Sequence, residues 1–191
     1  MNNYGLSIDF DFWLRMPSLV ELDCSMKEAP FWIDAMWMIR AATALSNGED
    51  WREHLCLATD EPLASDIHKL LKEHQIKLMQ KFLIAESHGC AYEWFKGIEN
   101  LHLIHIDAHH DFGYDMNELN CDNWVKHLVA NGNVAAITLI YPKWRLQEHT
   151  EWGEKSEKIA NKWRAKGIDI SVGYGLSENL LRNIKVKRSF I

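Results

Sequence analysis

Asp107, His109 and Asp111 stand at alternate positions in the segment His105-Ile106-Asp107-Ala108-His109-His110-Asp111, directly after the apolar run Leu101 to Ile106. Side chains at alternate positions of an extended chain share a face, so the three converge where a buried strand gives way to solvent. Carboxylates and imidazoles on one face are a donor set for a divalent cation. The placement is costly without one, because buried carboxylates must be paired or bound to a cation. A second acidic run, Leu6-Ser7-Ile8-Asp9-Phe10-Asp11-Phe12-Trp13, sets Asp9 and Asp11 against Ile8, Phe10 and Phe12. A third, Lys81 to Gly89, delivers Glu86 and His88 at the end of a strand-like stretch, before a glycine that lets the chain turn.

Bringing these runs together requires strands that end side by side. Hydrophobic spacing predicts strands over 5–12, 54–58, 81–86, 101–106, 134–140 and 168–172. It predicts helices over 29–45, 62–77, 90–97, 121–130 and 154–165, with Asn47-Gly48 a stop after the first. Strict alternation of the two favours an α/β fold, a three-layer α/β/α arrangement with a mainly parallel sheet, because parallel neighbours need a crossover. Ligands gather at the carboxyl ends of such strands, where His88, Asp107, His109 and Asp111 all fall. The segment Lys143 to Gly153 reads as a loop, and Gly173-Tyr174-Gly175 as a turn.

With 191 residues, 47% hydrophobic and 25% charged, residues 1–191 make one domain around one core. A net charge of -6 argues against nucleic acid as the partner, since phosphate binding rests on concentrated Lys and Arg. Lys185-Val186-Lys187-Arg188 reads as a solvated edge strand. Cys24, Cys56, Cys90 and Cys121 stand singly and the amino terminus has no signal-peptide pattern, so the expected setting is reduced and cytoplasmic. No apolar run approaches the roughly 20 residues that cross a bilayer, so no membrane is expected. Cys90 reads as a packed thiol. The stripe Trp32, Met36, Trp37, Met38 and Ile39 reads as a buried helix, and His54, His68, His74, His102 and His149 as surface residues.

Asp107-Ala108-His109-His110-Asp111 resembles the Asp-Ala-His-x-Asp signature of the arginase and agmatinase ureohydrolases. Ser7-Ile8-Asp9-Phe10-Asp11 is similar to their Ser-x-Asp-x-Asp motif, and Glu86-Ser87-His88 to the motif that supplies their first histidine. Cys121-Asp122-Asn123-Trp124 and Tyr141-Pro142-Lys143-Trp144 echo a sparsely described arginase-like branch. The motif order is circularly permuted, with the Asp9/Asp11 strand first and Leu14-Arg15 in place of the family's Asp-Pro pair. A sheet needs its strands in position and not in chain order.

The resemblance implies an arginase/deacetylase-like fold and two divalent ions, most simply Mn²⁺, with Fe²⁺, Co²⁺ or Zn²⁺ able to stand in. Asp107 and Asp9 would bridge the ions. His88 and Asp111 would bind one, and His109 and Asp11 the other. The chemistry implied is attack by a bridging hydroxide on a guanidino or amide carbon of a small-molecule substrate. His110, Glu86, His127 and His105 are the candidates for orienting substrate and moving protons. Two other classes stay open: a single-zinc deacylase, which shares the fold but has glycine after its paired histidines, and a catalytically silent metal-stabilised binding module. Self-association into a homo-oligomer is also left open.

Overall fold

The computed structural model describes residues 3–15, 30–50, 56–57, 61, 64–73, 82–85, 87–113, 118–148 and 151–176. Four strands, β1 (Asn3–Ile8), β4 (Leu101–Ile106), β5 (Val134–Tyr141) and β6 (Asp169–Tyr174), form an all-parallel sheet in the order β1-β4-β5-β6. Between β1 and β4 in the chain come a 3-10 turn (Phe10–Trp13), β2 (Leu14–Arg15), α1 (Pro30–Ser46), β3 (Cys56–Leu57), α2 (Ala64–Glu73) and α3 (Cys90–Phe95). After β4 follow α4 (Trp124–Ala130), α5 (Lys143–Glu148) and α6 (Trp152–Arg164).

β4 is the sheet's central fact. Its six residues Leu-His-Leu-Ile-His-Ile are all buried, as a parallel strand covered on both faces requires. Leu101 and Leu103 point into the larger core with Phe95, Trp124, Leu128, Ile137, Leu139 and Trp163, supplied by β5 and by α3, α4 and α6. Ile104 and Ile106 point the other way, against Tyr4, Phe12, Ile140 and the α2 residues Ile67 and Leu71. Helices therefore pack on both faces of a parallel sheet, a mixed α/β fold. At roughly 25 cal/mol per Å² of apolar surface, this two-sided burial is the main term holding β4 in place. Among the described residues no helix is long and apolar enough to cross a membrane.

Several expectations need correcting. β1 ends at Ile8 and not at residue 12, since the chain coils into the 3-10 turn once Asp9 is reached. Residues 82–85 form no strand, and Phe82 and Ile84 are 83% and 88% exposed. The expected loop over 143–153 holds α5 and the start of α6. Met38 and Ile39, expected in a buried stripe, are exposed, because no described element covers that side of α1. His102 is buried, not on the surface: it lies on the second face of β4, bonded to Thr138 at 3.0 Å and packed on Tyr4. Gly173 and Tyr174 belong to β6, and the turn comes only at Gly175 with φ +65°. A two-stranded antiparallel ribbon of β2 and β3 was not expected. Glu86, His54, His74, His149, Cys24 and the basic run 185–188 lie outside the described residues.

Candidate metal centre

Parallel register builds the site. Ser7 pairs with His105 and Ile8 with Ile106. One residue further on, the Asp9 amide donates to the Ile106 carbonyl at 2.9 Å and the Asp107 amide to the Ile140 carbonyl at 3.1 Å. The acidic ends of β1 and β4 therefore lie side by side, although 97 residues separate Asp11 from Ala108, whose amide donates to Asp11 Oδ1 at 3.2 Å. The 3-10 turn, not strand alternation, carries Asp11 to that position, with its own amide donating to Asp9 Oδ1 at 3.3 Å.

Two groups of ligand atoms result. His88, His105, Asp107 and Asp111 form one, and Asp11, Asp107 and His109 the other, each tight enough to hold a metal ion. His88 Nδ1 lies 3.0 Å from Asp9 Oδ2, 2.9 Å from Asp107 Oδ2 and 3.1 Å from Asp111 Oδ2. His105 Nε2 lies 3.2 Å from Asp107 Oδ2 and 3.6 Å from Asp111 Oδ2. On the other side, His109 Nδ1 lies 2.7 Å from Asp11 Oδ2 and 3.5 Å from Asp107 Oδ1. Asp107 thus turns one oxygen to each group, and its Oδ1 also accepts the His109 amide at 2.7 Å.

The donor chemistry fits a cation. His88 Nδ1, His105 Nε2 and Asp107 Oδ2 are buried and converge, yet none makes a hydrogen bond of acceptable geometry. Buried polar atoms left so are rare and costly unless something else engages them. Burial, and then the neighbouring Asp107 charge, push Asp111 up to about 6. Burial pulls His88 down, but the close carboxylates of Asp107, Asp111 and Asp9 outweigh this and raise it well above the usual imidazole value. Burial raises Asp9 too, and the nearness and charge of His88 overcome that to hold it at about 2. His105 is driven by burial down to about 3, so it is a neutral donor at physiological pH. The burial is graded: Asp107 and Asp111 are within the protein, whereas the side chains of Asp11 and His109 are 22% and 33% exposed and mark the solvent side.

The surrounding residues hold these ligands. Ser7 Oγ meets His88 Nε2 at 2.5 Å, leaving Nδ1 for the cluster. The Trp124 indole donates to Asp111 Oδ2 at 2.5 Å. Ser7 and Trp124 were not assigned roles from sequence, and His105 was read only as a supporting residue. The alternation of β4 puts His105 on the same face as Leu101 and Leu103, and the register with β1 sets it beside Ser7.

Asp9, expected to bridge the ions, falls in neither ligand group, although its Oδ2 lies 3.0 Å from His88 Nδ1, and His110 and His127 are not brought into either group. His110 Nδ1 accepts the Phe112 amide at 3.0 Å, and burial lowers its pKa to about 4. His127 sits on α4 with its ring edge-on to Tyr92 at 6.3 Å. Comparisons of the chain with models of known protein families, with curated proteins and with solved structures give no match.

Proposed function

We propose that this chain is a dinuclear metal hydrolase of ureohydrolase type, acting on a carbon–nitrogen bond of a small guanidino or amide substrate. One observation carries the reading: two ligand groups share Asp107, one oxygen to each. A lone structural ion needs one such group, and an acidic surface patch needs neither.

His88, His105 and Asp111 would hold the inner ion, Asp11 and His109 the outer one, and Asp107 would span them with Asp9 beside it. Oxygen-rich sites with a few imidazoles suit Mn²⁺ better than a thiophilic metal. When bound, two such ions supply an acidified water and polarise the scissile group. The protein's own contribution is placement. Ser7 fixes the His88 ring, Trp124 fixes Asp111, and the Asp11 amide and the Ala108 and His109 amides hold the acidic loops in shape. Substrate would arrive on the side of Asp11 and His109, where the ligands meet solvent. Support for an arginase-like arrangement comes from β1 lying parallel to β4, with Asp9 and Asp11, which follow β1, beside the end of β4, despite the permuted order.

Elemental analysis after purification without chelator tests the proposal. Two Mn-type ions per chain, with Mn²⁺-dependent turnover in a panel of guanidino, ureido and acyl-amine compounds, is the expected outcome. One zinc per chain would replace it with the deacylase reading. Bound ions with no turnover would leave a metal-stabilised binding module.

A further inference from the structure

The start of α4 grips Asp111 at both ends. The Asp111 carbonyl accepts the amides of Val125 at 3.0 Å and Lys126 at 3.3 Å, in the first turn of that helix. Its carboxylate accepts the Trp124 indole N–H at 2.5 Å. The residue is held with φ +52°, a left-handed conformation that non-glycine residues adopt at a cost and only where the surroundings enforce it. Trp124 is fully buried, with its ring 5.1 Å from that of His88, 5.4 Å from that of His105 and stacked on Phe95 at 6.2 Å. One side chain therefore touches three of the four inner ligand residues and hydrogen-bonds the carboxylate among them.

We infer that Trp124 is a positioning residue for the inner ion: its indole N–H occupies one lone pair of Asp111 Oδ2 and its ring walls in the His88 and His105 imidazoles. The inference rests on the metal reading above and deepens it. With the indole N–H on one of the roughly four lone-pair sites of the carboxylate, Asp111 would be held with Oδ2 turned toward His88 and His105, where an inner ion would meet it. A carboxylate free to rotate would have access to several coordination modes, so the hydrogen bond selects one of them before any ion arrives.

Trp124→Phe removes the N–H and keeps most of the ring. Its expected effect is a loss of about 10- to 100-fold in Mn²⁺ and Co²⁺ affinity, the range typical when a group orienting a ligand is removed. The visible absorption of the Co²⁺-loaded protein should change as well, since coordination geometry changes. Phe95→Leu disturbs the same packing without touching the hydrogen bond, so it should lower the melting temperature and leave Co²⁺ affinity and spectrum near wild type. A second measurement needs no variant. In nitrogen-15-labelled wild type, one of the nine indole N–H signals should lie far downfield and move when diamagnetic Zn²⁺ is added. Wild-type affinity and spectrum in Trp124→Phe, or indole signals that all ignore Zn²⁺ in a protein that binds it, would overturn the inference while leaving the metal reading intact. A wild type that binds no ion would refute both.

Discussion

Asp107→Asn separates a metal centre from a mere cluster of acids. Asp107 is 1% exposed and is the residue common to both ligand groups. In the metal-free chain it acts in two opposite ways, repelling Asp111 and attracting His88, so its loss should move metal-free stability by only a few degrees. The response to ions is different. Asp111 stands at about 6 against an ordinary 3.8, and about two units at 1.36 kcal/mol each make ionising it cost on the order of 3 kcal/mol. Burial is the larger cause and Asp107 the next. A bound divalent ion reverses that cost, and a ligand at about 100 times its Kd stabilises by a similar ~2.7 kcal/mol. At ~2–4 °C per kcal/mol for a chain of this size, Mn²⁺ should raise the wild-type melting temperature by about 5–12 °C. In Asp107→Asn the rise should shrink to less than about 2 °C. Differential scanning fluorimetry of chelator-treated protein, with and without Mn²⁺ near pH 7.5, reads both values. An undiminished rise in the variant would refute the shared-ligand geometry.

Metal affinity should fall on acidification. His88 and Asp111 both have folded-state values above their unfolded ones, so the metal-free fold holds extra protons that an ion must displace. The stabilisation these two protons give is present at low pH and lost as pH rises through the folded values, whereas ion binding gains there. Between pH 7 and pH 5 the fall should exceed about 10-fold, and calorimetric titrations giving a flat affinity would contradict it. Ser7→Ala frees the His88 ring and should weaken Mn²⁺ binding about 10-fold, checked by competition with a chromophoric chelator. Gly113→Ala meets two obstacles, φ +62° and a new Cβ only 2.5 Å from Asn123 Cβ. It should cost at least ~1–3 kcal/mol in chemical denaturation, clearly more than Gly132→Ala, which also has positive φ but meets nothing within 4 Å.

How much of this was written in the sequence varies with the physics of each segment. The run Leu101–Ile106 announced a buried parallel strand because aliphatic residues fall on both of its faces, and its acidic end marked the candidate site. The joining of Asp9 and Asp11 to Asp107 was legible as well, but by a different local route. Strand alternation accounts for Asp9, whereas Asp11 reaches His109 because the chain coils into a 3-10 turn after Ile8. Residues 82–85 carry a strand-like composition and form no strand, since a strand exists only where a neighbour pairs with it and composition cannot show that neighbour. The role of Trp124 was hidden for a related reason: it stands 13 residues from Asp111, only the packing of α4 brings its indole to that carboxylate, and a buried tryptophan reads first as core.

The most direct measurement is anomalous diffraction from crystals grown with Mn²⁺. Two peaks are expected, one among His88, His105 and Asp111 and one between Asp11 and His109, each in contact with a different oxygen of Asp107. A peak pattern that leaves Asp107 without an ion on either oxygen would contradict the central claim.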